Sequence, residues 1–191
     1  MRQVLILGGT AWLGREIARA ALESGAEVTC LARGSAGDIA PGDRLVQADR
    51  AEHGAYDALL DREWYDLGFV QSALDALAAR AAHWTLVSSV SVYADDDVPH
   101  SDETARLVEP VDLDDYAHAK VAAERATQTA VGDRLFIARP GLIVGPGDGS
   151  GRFGYWPGRF VAAAAEGGPI LVPDTRDRWS QVIDVRDLAE W

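Results

Sequence analysis

The sequence predicts an α/β protein built on a doubly wound parallel sheet, and three observations carry that prediction. A short unbroken apolar run, Gln3 to Leu7, ends on Gly8-Gly9 and leads into a helical pattern. A second apolar run follows that helix at the spacing of a βαβ unit. Strand-like and helix-like segments then alternate along most of the 191 residues. Parallel strands need crossover connections, so such alternation places helices on the sheet faces.

Each element has its own signal. Gln3 to Leu7 is continuous rather than alternating, the pattern of a strand buried on both faces. Leu13, Ile17, Ala20 and Ala21 recur at helical spacing until Ser24-Gly25, a stop. Ala26 to Leu31 reads as the second strand and Arg44 to Ala48 as the third. Phe69 to Ala82 is an alanine-rich helix, Trp84 to Ser88 a buried strand, and Asp112 to Val131 a long helix. Arg134 to Ala138 is a further strand, running into Arg139-Pro140-Gly141. After Pro146 glycine, proline and aromatics dominate, the pattern of a loop, and a helix is expected near Arg159 to Glu166.

Composition narrows the partners. Lysine and arginine number 18 against 30 acidic residues, a net charge of -12, which disfavours nucleic acid because a phosphate backbone needs a basic stripe. The single Cys30 leaves no disulfide and fits a reducing cytosol. The apolar start is broken by Gly8-Gly9-Thr10 and followed by Arg15-Glu16, unlike a secretory signal. No apolar stretch approaches the roughly 20 residues of a membrane span. A soluble, cytoplasmic protein with no membrane partner is expected. His53, His83, His100 and His118 lie far apart and Asp95-Asp96-Asp97 lacks a calcium-loop pattern, so no metal site is expected. Trp156, Trp179 and Trp191 are expected to be exposed.

Three motifs carry chemistry. Gly8-Gly9-Thr10-Ala11-Trp12-Leu13-Gly14 joins a strand to a helix, and a helix N-terminus presents free N–H groups to an anion. Ser88-Ser89-Val90-Ser91-Val92-Tyr93 closes a strand, and Tyr116-Ala117-His118-Ala119-Lys120 sets a tyrosine and a lysine one turn apart on one helix face. A phenol titrates near 10 in water, and a neighbouring ammonium favours its phenolate. Arg33 follows the end of the second strand, where an acidic residue would accept from ribose hydroxyls and an arginine suits a 2′-phosphate.

In this order the motifs resemble the short-chain dehydrogenase/reductase superfamily, in its extended or atypical NAD-dependent epimerase/dehydratase branch. The resemblance implies a Rossmann-like domain at residues 1–145 and a partial substrate-binding region at 146–191. It implies cofactor contacts from Gly8, Thr10, Ala11, Trp12, Leu13, Gly14, Arg33, Asp49, Lys120 and Pro140, with Ala11 in place of the pattern's middle glycine. NADP is favoured over NAD. Counting back four residues from Tyr93 gives Ser89 as the catalytic hydroxyl, with Ser91 the runner-up, beside Tyr116 and Lys120. The implied function is an NAD(P)-dependent oxidoreductase or epimerase-type enzyme, transferring hydride to or from a small hydroxy, keto or sugar-like substrate. The pattern is compatible with a homodimer. Two further readings stay open: a non-catalytic dinucleotide-binding or sensing protein, and a degenerate, truncated homologue.

Two departures from the family pattern matter. The apolar strand expected before Phe69 is missing, since Trp64-Tyr65-Asp66-Leu67-Gly68 is too short and too polar. Past Val182 to Ala189, where family members continue into their substrate region, the sequence stops at Trp191. With a central strand missing, Val4–Leu7 is expected to pair directly with Trp84–Ser88, since buried unpaired edges cost about 1–3 kcal/mol per group. That pairing would narrow the nicotinamide pocket and weaken binding and turnover.

Overall fold

Strands and helices alternate along the chain in a computed structural model that describes residues 1–48, 67–95, 97–174 and 179–191. The fold is α/β, the strands described pair in parallel with one isolated antiparallel bridge from Tyr93 to Leu107, and the chain divides into two units.

The first unit joins Met1–Ala48 to Leu142–Trp191. Its main sheet has the order β1 (Gln3–Leu7), β2 (Glu27–Ala32), β3 (Arg44–Gln47), with Gln3 opposite Glu27 and Thr29 opposite Arg44. Helix α1 (Trp12–Glu23) crosses from β1 to β2. It ends where Gly25 takes φ +83° and its amide bonds Leu22, while the Ala26 amide bonds Ala21, the glycine-terminated helix end that the Ser24-Gly25 stop predicted. Ile6, Ala18, Val28 and Cys30 form the core between helix and sheet, flanked by Val4, Ile17 and Leu22. The opposite face of β1 is different. Leu5 is 46% exposed, so β1 is buried on one face rather than both, because α1 covers only the Val4–Ile6 side.

The C-terminal part of this unit adds β6 (Leu142–Val144), α4 (Tyr155–Glu166), β7 (Val182–Asp184) and α5 (Val185–Glu190), with β6 parallel to β7. Neither short strand was expected from sequence, and α4 begins four residues earlier than its helical pattern. Asp184 caps α5 by accepting from the Arg186 amide at 2.8 Å. Its carboxyl is held down at about 2 by hydrogen bonds from Arg186. Helix α5 packs on α1. Trp156, Trp179 and Trp191 are exposed, as their sequence setting suggested.

Cys30 is sealed in this core, its thiol donating to Asp43 Oδ2 at 3.6 Å. Burial first, then the Asp43 charge, pushes the thiol up to about 11. The folded chain therefore holds that proton more tightly than the unfolded chain, and the associated stability is lost as pH rises through about 11. A thiol reagent at pH 8 should leave the native protein unlabelled over the time in which the urea-unfolded chain reacts to completion. Rapid stoichiometric labelling of the native protein would contradict this packing.

The second unit spans Asp49–Gly141, its described part starting at Leu67. Helix α2 (Leu67–Leu77) opens on Leu67 and Gly68, while Trp64–Asp66 lie outside the described residues. Strand β4 (Trp84–Val87), helix α3 (Tyr116–Val131) and strand β5 (Leu135–Ala138) complete it, with Trp84 opposite Leu135. Leu74, Ala78 and Val131 make its core, with Val70, Trp84 and Leu135 around them. Strand β4 is half-buried, not buried, since Thr85 faces outward.

Three expectations are corrected here. Helix α3 starts at Tyr116 rather than Asp112, because the Asp115 carboxylate accepts from the His118 amide at 3.1 Å and fixes the first turn. Helix α2 stops at Leu77 rather than Ala82, because Arg134 donates to the carbonyls of Ala78 and Ala81 and holds them in a turn. The pairing of Val4–Leu7 with Trp84–Ser88 is not made. Among the described residues the ladder partner of β1 is β2 and that of β4 is β5.

Candidate active site

In the first unit the strand–turn–helix segment forms an open N-terminus. Gly8 takes φ +86°, a conformation glycine adopts without strain, and its amide extends the β1–β2 ladder to Leu31 O at 2.8 Å. Ala11 is the N-cap of α1 and offers no side-chain cap; its own amide donates to Gly8 O. The amides of Trp12, Leu13 and Gly14 therefore lack an intrahelical acceptor and point beyond the helix end. Gly14 lets the helix lie on the turn, since a Cβ there would stand 2.4 Å from Gly8 O. Thr10 is buried. The Trp12 indole N–H donates to Pro146 O at 2.8 Å, and the ring lies against Gly147, which joins the loop after β6 to this turn.

Arg33 is exposed just past β2, and its carbonyl accepts from Gln47 Nε2 at 2.8 Å. Asp49 lies outside the described residues. Gly9, which sequence reasoning passed over, matters as much as Gly14: a Cβ there would fall 2.2 Å from Cys30 Sγ. Nothing local signals this, because the obstruction comes from another strand.

In the second unit Ser89, Tyr116, Lys120 and Pro140 are drawn together around the carboxyl end of β4. Lys120 Nζ donates to Val87 O at 3.2 Å and lies 5.7 Å from the Tyr116 ring centroid. Burial lowers the Lys120 ammonium from its ordinary value, and the nearby Glu124 carboxylate partly offsets this. Ser89 is buried; its hydroxyl accepts from the Ser91 amide and donates to the Ser91 hydroxyl, both at 3.1 Å. Ser91 itself is exposed, which keeps Ser89 ahead of it. Pro140 O accepts from the Val90 amide at 3.1 Å, tying the segment after β5 to the serine turn.

Two features here were not legible in sequence. Ser88 is buried, and its hydroxyl has no protein partner beside Ser89, a polar atom left for a ligand or water. His118 is half-buried and its Nδ1 accepts from the Asp112 amide. Behind the cluster Arg139 clasps Glu124 with two bonds of 3.0 and 2.8 Å and donates to the Tyr93 hydroxyl at 3.1 Å. Among the described residues no group of three or more metal-binding side chains converges.

The turn fits a dinucleotide pyrophosphate, which needs unobstructed backbone amides at a helix N-terminus. The β4 cluster offers a hydroxyl, a phenol and a half-buried ammonium, a set suited to moving a proton on and off a substrate oxygen.

The chain is similar to known proteins in sequence and in fold. The model of the NAD dependent epimerase/dehydratase family matches residues 65–191. The chain is 30% identical over 198 residues to dTDP-6-deoxy-L-talose 4-dehydrogenase (NAD(P)(+)) of Kitasatospora kifunensis, covering 86% of this chain and 60% of that one. It is 26% identical over 214 residues to chloroplast stem-loop binding protein of 41 kDa b of Arabidopsis thaliana, covering 98% and 53%. The chain thus spans between half and two thirds of the length of these curated relatives. Among solved structures, UDP-glucose 4-epimerase from Brucella ovis in complex with NAD shares the fold at TM-score 0.68 and 20% identity, over 99% of this chain and 71% of that one. UDP-N-acetylglucosamine 4-epimerase from Bacillus cereus does so at TM-score 0.66 and 16% identity, over 100% and 71%.

Proposed function

Because the chain belongs to the NAD dependent epimerase/dehydratase family, we propose that it is an NAD(P)-dependent oxidoreductase or epimerase-type enzyme acting on a small sugar-like hydroxy or keto substrate. In this reading residues 1–145 hold the dinucleotide and 146–191 form part of the substrate region. NADP is preferred to NAD, through Arg33. The observation that carries the reading is the packing of Lys120 under Val87 and beside Tyr116, at the strand end that bears Ser89.

The bound nicotinamide would supply or accept the hydride. The chain's own residues do the rest. Ser89 hydrogen-bonds the substrate oxygen and orients it. Tyr116 gives or takes the proton at its hydroxyl. Lys120, half-buried and positive, favours the negative form of the phenol as that proton moves, and holds the nicotinamide ribose. The Trp12, Leu13 and Gly14 amides bind pyrophosphate. A net charge of -12 supports a small-molecule partner over RNA, although one relative is named for stem-loop binding.

The test is kinetic. With a nucleotide-activated 4-keto sugar and NADPH, Tyr116→Phe should lower kcat by about a hundred- to ten-thousand-fold, as loss of a general acid–base does. NADPH affinity should survive, because only the ionisable hydroxyl is removed. Lys120→Met should damage both, since Lys120 has two roles. Wild-type rates in Tyr116→Phe would end this assignment, and NADPH binding with no turnover by the unmodified chain would favour a non-catalytic dinucleotide-binding role.

A further inference from the structure

Trp12 takes part in two structures at once. It is the first residue of α1, and its backbone amide is one of those left without an intrahelical acceptor at the open turn. Its side chain reaches the chain that leaves β6, where the indole N–H donates to Pro146 O at 2.8 Å. One residue thus carries a backbone donor at the dinucleotide turn and a side-chain donor to the loop of residues 145–154.

The loop is shaped to receive the indole. Gly147 takes φ +85°, and a Cβ there would stand 3.2 Å from Trp12 Nε1 and 3.3 Å from Trp12 Cδ1, so a larger residue would press the ring away. A Cβ on Gly145 would stand 3.0 Å from Val185 Cγ1 and 3.2 Å from Asp184 Oδ1. The root of the loop therefore lies against the start of α1 at one glycine and the start of α5 at the other. Past Gly147 the loop is held by near neighbours. Asp148 Oδ1 accepts from the Ser150 amide at 2.9 Å, and Ser150 Oγ accepts from the Arg152 amide at 3.3 Å. The Tyr155 amide bonds Gly151 O as α4 begins. Residues 149–154 are exposed, so such local bonds order them weakly.

We infer that Trp12 is a positioning residue that couples dinucleotide binding to the loop of residues 145–154, so that a bound cofactor orders the substrate side of the site. The inference rests on the reading above, in which the turn holds the dinucleotide and residues 146–191 belong to the substrate region. Pyrophosphate bound at the turn restrains the Trp12 backbone through its amide. A restrained backbone leaves the indole fewer orientations, and the N–H stays on Pro146 for more of the time. The loop is then ordered before substrate arrives, and a ligand that needs it ordered loses less entropy on binding. The coupling is reciprocal, so a substrate that orders the loop tightens the dinucleotide by the same factor.

The experiment is hydrogen exchange of the full chain with and without NADPH, beside calorimetric titration with the same dinucleotide. In the unmodified chain NADPH should slow exchange at the amides of residues 12–14, and by about 2- to 10-fold at those of residues 147–154, the range of one hydrogen bond. Trp12→Phe keeps the ring and every backbone amide and removes the indole N–H. It should weaken NADPH by no more than about threefold and keep the protection of residues 12–14, while the loop no longer responds. Gly147→Ala, which presses the ring away from the loop side, should separate the two responses in the same way. A role in packing alone would lower both protections together in Trp12→Phe, and that result would overturn the inference. Loop protection that persists in Trp12→Phe would overturn it, as would a loop that NADPH leaves unchanged in the unmodified chain. If the unmodified chain binds neither NADPH nor NADH, the cofactor reading falls and this inference with it, and the titration shows that before any exchange is measured.

Discussion

Gly14→Ala is expected to lower the stability of the chain by about 3 kcal/mol and to abolish dinucleotide binding. The added Cβ would lie 2.4 Å from Gly8 O, 2.9 Å from Gly9 Cα and 3.1 Å from Gly8 C. All three are backbone atoms, so no rotamer change relieves the collision. The Gly8 carbonyl cannot swing aside cheaply, because it accepts from the Ala11 amide and its own residue continues the β1–β2 ladder. Helix α1 must then lift off the turn, separating Ala18 from Ile6 and Cys30 and moving the amides of Trp12 and Leu13. Gly158→Ala is the matched control: its Cβ would meet open space in α4, and alanine suits a helix interior better. Urea melts of the two variants provide the check. Equal midpoints would show that α1 does not lie against the turn as described.

Glu124→Ala should cost about 3–5 kcal/mol, the usual loss when one partner of a buried ion pair is removed. Glu124 is 3% exposed, and both carboxylate oxygens are engaged by Arg139. The substitution strands a guanidinium whose remaining partners are the Tyr93 hydroxyl and the Glu103 carbonyl. Glu124→Gln keeps the shape and part of the hydrogen bonding, so its loss should be smaller. Glu124→Leu combined with Arg139→Met should cost less than the two single changes added together, because no charge is left stranded. Additive losses in that cycle would mean that the pair is not coupled. Function should register the change as well, since Glu124 partly offsets the burial of Lys120 and Pro140, next to Arg139, holds the Val90 amide.

What could be read from sequence follows the range of the interactions. Strand β1 was legible to its end residues because its apolar run and its glycine stop are local. The Tyr116–Lys120 pair was legible because helical spacing alone sets it. Helix α3 was read four residues too long: Asp112 to Asp115 continue the polar pattern, and only the Asp115 cap shows where the helix begins. Strands β6 and β7 are three residues each, too short to carry a period. The reason for Gly9 lies in Cys30, and the Glu124–Arg139 clasp spans two elements; neither leaves a mark along the chain.

The contact between Trp12 and Pro146 spans 134 residues, and it sets an order of assembly. The first unit is built from two segments, Met1–Ala48 and Leu142–Trp191, with the second unit interposed. During synthesis the segment carrying β1, α1 and β2 emerges before the second unit, yet the loop that meets Trp12 and the helix α5 that covers α1 emerge after it. The interposed unit is continuous in sequence and pays a smaller loop-closure entropy. The β1–α1–β2 segment is therefore completed after the unit that follows it in sequence, and refolding should show α2, β4, α3 and β5 protected from hydrogen exchange before β1 and α1.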